Sequence, residues 1–219
     1  MAFPSVKLTT LASLAHRLPA ACWLAQRLEQ APERWATLPV WWVEGDLDMA
    51  GLDLVTTLSS DGQWLPPLPS TALDGSAPHP DGALLWVDGH LRLQGALTGG
   101  WHTPASAAEP SSPAVHALVM GDAQVHCALL RQGQLHVQGN LSVHTLLWGD
   151  GAPGGLTVLG QCAAQVGLFT RGYAPQWNQP PSFDFTLQDA DPAGNSALGQ
   201  PADHETLGLV VPPQYLDAD

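Results

Sequence analysis

Basic side chains are scarce in this 219-residue chain: 7 Lys and Arg stand against 20 Asp and Glu, and Lys7 is the only lysine. A nucleic-acid interface needs clustered cations to neutralise phosphates. Scattered arginines and a formal charge of −13 therefore argue against direct DNA or RNA binding. Cysteine is equally sparse. Cys22, Cys127 and Cys162 lie far apart with no Cys-x-x-Cys, which sets aside a disulfide framework and a zinc knuckle. Buried free thiols in a reducing compartment, hence a cytoplasmic protein, are the simplest expectation. No apolar run reaches the length of a membrane span. Thr9, Thr10, His16 and Arg17 interrupt the apolar N-terminal stretch, which argues against a secretory leader. There is no Gly-x-Ser-x-Gly elbow. The run from Gly151 to Gly155 lacks the Lys-Ser or Lys-Thr ending of a phosphate loop and any following helix.

Glycine and proline are abundant instead, at 22 and 20 residues. Gly does not recur every third position, so collagen is excluded. Nine Trp and many Leu and Val require a core, which excludes disorder throughout. Short strands joined by many turns satisfy both facts.

An internal repeat gives those strands an arrangement. Residues 117–130 (ALVMGDAQVHCALL) and 135–148 (LHVQGNLSVHTLLW) align without a gap at an offset of 18, pairing Val119 with Val137, Gly121 with Gly139, His126 with His144 and Leu129 with Leu147. Related copies occupy residues 41–54, 85–98 and 156–169. Each alternates polar and apolar residues, the period of a half-buried strand. In the fourth copy Leu135, Val137, Leu141 and Val143 are expected to face inward, and His136, Gln138, Asn140, Ser142 and His144 outward. Gly139 interrupts the series, where a glycine's backbone freedom would let the chain turn a corner. The residues after the equivalent glycines, Asp46, His90, Asp122 and Asn140, are expected to cap those turns.

A lone unit of this length cannot bury its apolar face, whereas stacked units can. The expected fold is mainly β: a single-stranded β-solenoid, with a right-handed coil favoured. Leu135, Leu141 and Leu147 recur every six residues, as in left-handed solenoids, but the inward Val137 and Val143 fit that hexapeptide less well. Residues 1–38 are expected to form a helical cap, because Leu8, Leu11, Leu14 and Leu18 follow helical spacing and Pro19 and Pro32 break it. Residues 39–171 would form the solenoid, with inserts at 58–80 and 99–112. Residues 172–219 would form a capping segment and tail, with strands near Phe183–Leu187 and Leu207–Val211.

The segments Val43-Glu44-Gly45-Asp46-Leu47 and Val137-Gln138-Gly139-Asn140-Leu141-Ser142-Val143 resemble the repeats of bactofilins, bacterial polymer-forming proteins with a right-handed β-solenoid core. They are more similar still to a loose group of bacterial solenoid proteins whose units read V-x-G-D-L-x-V. Some members of that group resemble immunity proteins encoded beside secreted toxins. The resemblance spans residues 41–169 and implies a fold more than a function. The inserts, helical region and long tail depart from the compact bactofilin pattern, and would hinder end-to-end polymerisation.

Two clusters invite functional readings. Glu44, Asp46, Asp48 and Asp88 form an acidic edge. Trp64, Trp101, Trp148 and Trp177 lie in inserts, in the tail or at a strand end, where aromatics anchor either their own loop or a partner. Trp41 and Trp86 differ in parity, so one is expected inside and the other outside. His126 and His144 project together and could share a metal with His90 or His116, although surface histidines are the plainer reading.

The resulting expectation is a non-enzymatic protein-binding module with no catalytic residue, cofactor or metal. Its partner would be a basic protein such as a cognate toxin, drawn by complementary charge. A self-associating structural protein is the second reading, and a metal-dependent enzyme on a left-handed solenoid the third.

Overall fold

The computed structural model describes residues 5–54, 79–99, 115–131, 133–151 and 155–188. Within them the chain is mainly β, with a small helical region near its N-terminus. Two sheets face each other. The first contains, in hydrogen-bonded order, Val6–Thr10 (β1), Pro39–Val43 (β2), Ala83–Val87 (β5), Val115–Val119 (β7), Gln134–Val137 (β9), Gly155–Val158 (β11) and Gln176–Trp177 (β13). The second contains Leu47–Met49 (β3), Leu91–Gly99 (β6), Ala123–Leu130 (β8), Leu141–Asp150 (β10), Cys162–Thr170 (β12) and Ser182–Gln188 (β14), while Leu52–Asp53 (β4) pairs with the far half of β6.

Consecutive strands of each repeat therefore belong to opposite sheets. Each strand pairs in parallel with its counterpart in the next repeat: Val43 with Val87, Val87 with Val119, and Val119 with Val137. The exception is β1, which runs antiparallel to β2 and puts Val6 beside Val43.

The inward parity holds as expected. Leu135, Val137, Leu141 and Val143 are buried in an inner core with Trp41, Leu85, Leu91 and Val125 from both sheets. Each such aliphatic side chain contributes about 1.5–3 kcal/mol by leaving water.

Corners of three residues join the sheets, and a ladder of hydrogen bonds ties them together. The amide of His90 donates to Asp46 Oδ1 at 2.8 Å, and that of Asp122 to His90 Nδ1 at 2.9 Å. The amide of Asn140 donates to Asp122 Oδ1 at 2.8 Å, and that of Gln161 to Asn140 Oδ1 at 2.9 Å. These side chains thus cap the next repeat's corner rather than their own. The glycines follow from the same closeness. A Cβ at Gly121 would lie 2.7 Å from the Gly89 carbonyl oxygen and 2.9 Å from His90 Nδ1. Backbone freedom is required at Gly45, whose φ is +100°. At Gly121 and Gly139 it is the close approach that excludes a side chain.

The helical region consists of Leu11–Leu14 (α1), a 3-10 turn at Ala15–Arg17, Trp23–Gln30 (α2) and Pro32–Trp35 (α3). Leu11, Leu14, Leu24 and Trp35 pack with Val40, Leu84, Trp86 and Leu118, so this region lies across the outer face of the first sheet.

Four expectations change as a result. Val6–Thr10 is a strand rather than a helix, because β2 offers it an open edge and Val and Thr suit extended backbone. Trp86 faces outward yet is as completely buried as Trp41, since the helical region covers it. His136 faces outward but is buried too, rather than solvent-exposed. The gapless alignment of the third and fourth copies fails after Val143, where one extra residue in β10 pairs Leu129 with Trp148 instead of Leu147. The strand at Ser182–Gln188 agrees with expectation, while Leu207–Val211 and nearly all of both inserts lie outside the described residues.

Candidate functional site

The outer faces of the two sheets differ. On the first, the part formed by β2, β5 and β7 lies under the helical region. On the second, one row of paired positions runs Asp48, Arg92, Gln124, Ser142, Ala163 and Ser182, all exposed. Two residues further along each strand from β6 to β14 stand Gln94, His126, His144, Gln165 and Asp184, also exposed. These alternate with inward Leu, Val and Ala because the strand period is two. The result is an open polar face with few charges, on a backbone held by parallel pairing.

The acidic edge is not an uncompensated charge. Glu44 pairs with Lys7 at 2.6 Å. Arg92 Nη1 lies 2.9 Å from Asp46 and 3.4 Å from Asp48. The His90 amide and the Arg92 guanidinium hold the Asp46 carboxyl below its usual range. Asp88 accepts hydrogen bonds from the indoles of Trp42 and Trp86 and lies 2.8 Å from Arg17. Three of the seven basic residues are thereby committed to this edge, and the sequence pattern concealed this because the partners lie far away along the chain.

His126 and His144 do come together, with ring centroids 5.2 Å apart. The proposed third ligands do not join them. His90 belongs to the corner ladder, and His116 lies on the first sheet against Trp23, with its Nδ1 accepting the Gln134 amide. Among the described residues no group of three or more His, Cys, Asp or Glu could hold a metal ion.

The aromatic candidates separate. Trp148 is buried, with its indole donating to Thr170 Oγ1 at 3.1 Å. Trp177 packs edge-on against Phe169 and Phe183 at the last repeat. Both anchor the protein's own core. Trp64 and Trp101 lie outside the described residues.

One cluster escaped the sequence reading. Asp150 is buried at the end of β10, where Arg171 and Thr170 donate hydrogen bonds to it and Arg131 Nε lies 3.7 Å away. Burial pushes its carboxyl up, but the hydrogen bonds from Arg171 and Thr170 and both nearby positive charges outweigh that and hold it low. Arg171 adopts φ +51° at this point. The sequence signal was the termination of successive strands by Leu130-Arg131, Gly149-Asp150 and Thr170-Arg171.

Comparison with known proteins finds no matching family model, no matching curated protein and no matching solved structure.

Proposed function

We propose that this chain is a non-enzymatic protein-binding module built on a β-solenoid, and that it docks its partner on the open polar half of the second sheet. The parallel pairing of each strand with its counterpart in the next repeat supports the solenoid. The contrast between the outer faces carries the binding reading: the first lies beneath the helical region over β2, β5 and β7, while the second presents Gln94, Gln124, Ser142 and Gln165 to solvent. Such a surface recognises a protein through many moderate hydrogen bonds rather than through one deep group.

The partner is a basic protein, and a bacterial toxin held by an immunity-type scaffold fits that description. Most of the acidic edge is neutralised internally, so attraction arises elsewhere. Segment 189–219 holds six of the chain's 20 acidic residues and none of its seven basic ones. Its charge would speed encounter, and the polar face would then fix the pose.

The test is capture of a stoichiometric basic protein by the tagged full chain from its own cells, with release as salt rises. Ser142→Arg and Gln165→Arg are expected to abolish capture without changing the thermal midpoint. Retention by both variants would rule out this face. Recovery of the chain alone, in large assemblies, would favour self-association instead.

A further inference from the structure

The second sheet has another outer strip, further along the same strands. Leu129, Trp148, Leu168 and Leu187 pair across four successive strands, and Leu146 joins them. They face away from the inner core, because their chain neighbours Leu130, Leu147 and Phe169 belong to it. Despite that orientation all five are buried, Leu168 completely. Cys127 packs against the same strip, and burial pushes its thiol up to about 11.

The strip has a direction. At the same register β6 carries Thr98 and β4 carries Asp53, so the row is polar at that end and apolar from β8 to β14. The described chain ends at Gln188, directly after Leu187. We propose that the segment 189–219 of this chain is the occupant of the strip, laid across β8 to β14 through its apolar run Leu207-Gly208-Leu209-Val210-Val211.

Four observations favour this segment, and its point of departure sets it apart from residues 100–114, which leave from Gly99 at the polar end. The apolar end is where segment 189–219 begins. Five extended residues reach about 17 Å, enough to cross four strands spanning about 14 Å. Arg131 and Arg171 stand at the rim beside Asp150, and the segment carries six acidic residues and no Lys or Arg, with Asp203 and Glu205 just before the apolar run. Leu207, Leu209 and Val211 alternate with period two, which suits one apolar face. This reading does not rest on the open polar half, although it involves the same acidic segment that is proposed to attract the partner.

Cys127 serves as a native reporter, with the buried Cys22 and Cys162 as controls. The full chain is treated with a thiol-alkylating reagent, and mass spectrometry follows each site. In the double variant Leu209→Asp, Val211→Asp, Cys127 is expected to react at least tenfold faster while Cys22 and Cys162 keep their rates. An unchanged Cys127 rate would overturn the proposal. So would acceleration by Trp101→Asp in its place, which would assign the cover to residues 100–114. If all three thiols accelerate together the variant has lost its fold, and the milder pair Leu209→Ala, Val211→Ala decides by the same criterion.

Discussion

The Trp86 indole nitrogen donates to Asp88 Oδ1 at 2.9 Å. The other carboxylate oxygen takes the Trp42 indole at 2.9 Å, with Arg17 at 2.8 Å, so one side chain fastens the helical region to two strands of the first sheet. Asp88→Ala strands two indole N–H groups. It is expected to cost about 2–4 kcal/mol, read from urea unfolding. Asp88→Asn keeps one acceptor oxygen and should cost less. Equal losses in the two variants would refute the double acceptance.

Gly121→Ala places a methyl group 2.7 Å from the Gly89 carbonyl oxygen, where backbone rather than a flexible side chain must yield. A loss of about 1–3 kcal/mol is expected. The same urea measurement checks it, and a neutral result would mean that the corners are looser than the ladder requires.

Acid should weaken the fold in two stages. Burial lowers the pKa of His116, with partial opposition from Asp81, and it lowers that of His136 against Gln138. Unfolded histidine binds a proton near about 6.5, whereas these two resist it when folded. Stability should therefore fall as pH drops below about 6.5 and should not change through these groups above about 7. Asp46 and Asp150, both held low, add a second loss as pH falls below the ordinary carboxylate range. Thermal midpoints between pH 8 and 3 test this. His136→Met should flatten the first stage, and an unaltered profile would remove His136 from the account.

Tyr173 is buried, its hydroxyl has no hydrogen-bond partner among the described residues, and its ring stacks on Phe169. Tyr173→Phe keeps the packing and removes the stranded group, so stability should rise by about 1 kcal/mol in urea unfolding. A loss would reveal a hydrogen bond to the hydroxyl.

Alternation made the inner core legible, since Leu135, Val137, Leu141 and Val143 share a parity and the pleat sends them to one side. Parity names a side but not what lies beyond it. Parity puts His136 outward and sends Trp41 and Trp86 to opposite sides, yet His136 and Trp86 are both buried, Trp86 beneath the apolar layer that the helical region brings. The ion pairs of the acidic edge were hidden for a related reason. Four carboxylates are visible in the repeats, but Lys7, Arg17 and Arg92 reach them only through folding. Val6–Thr10 satisfied helical spacing through Leu8, and the open edge of β2 overrode that weak local preference. The corner glycines were recognisable as corners, but their cause, contact with the preceding repeat, belongs to no single repeat.

The reversed direction of β1 acts as a punctuation mark. Each inner strand offers its successor a parallel edge, so the pattern contains nothing that says where it begins. β1 offers instead an antiparallel edge bearing Lys7, which does not reproduce the template behind it. At that side the first sheet ends on a strand of its own kind rather than on another copy of the template.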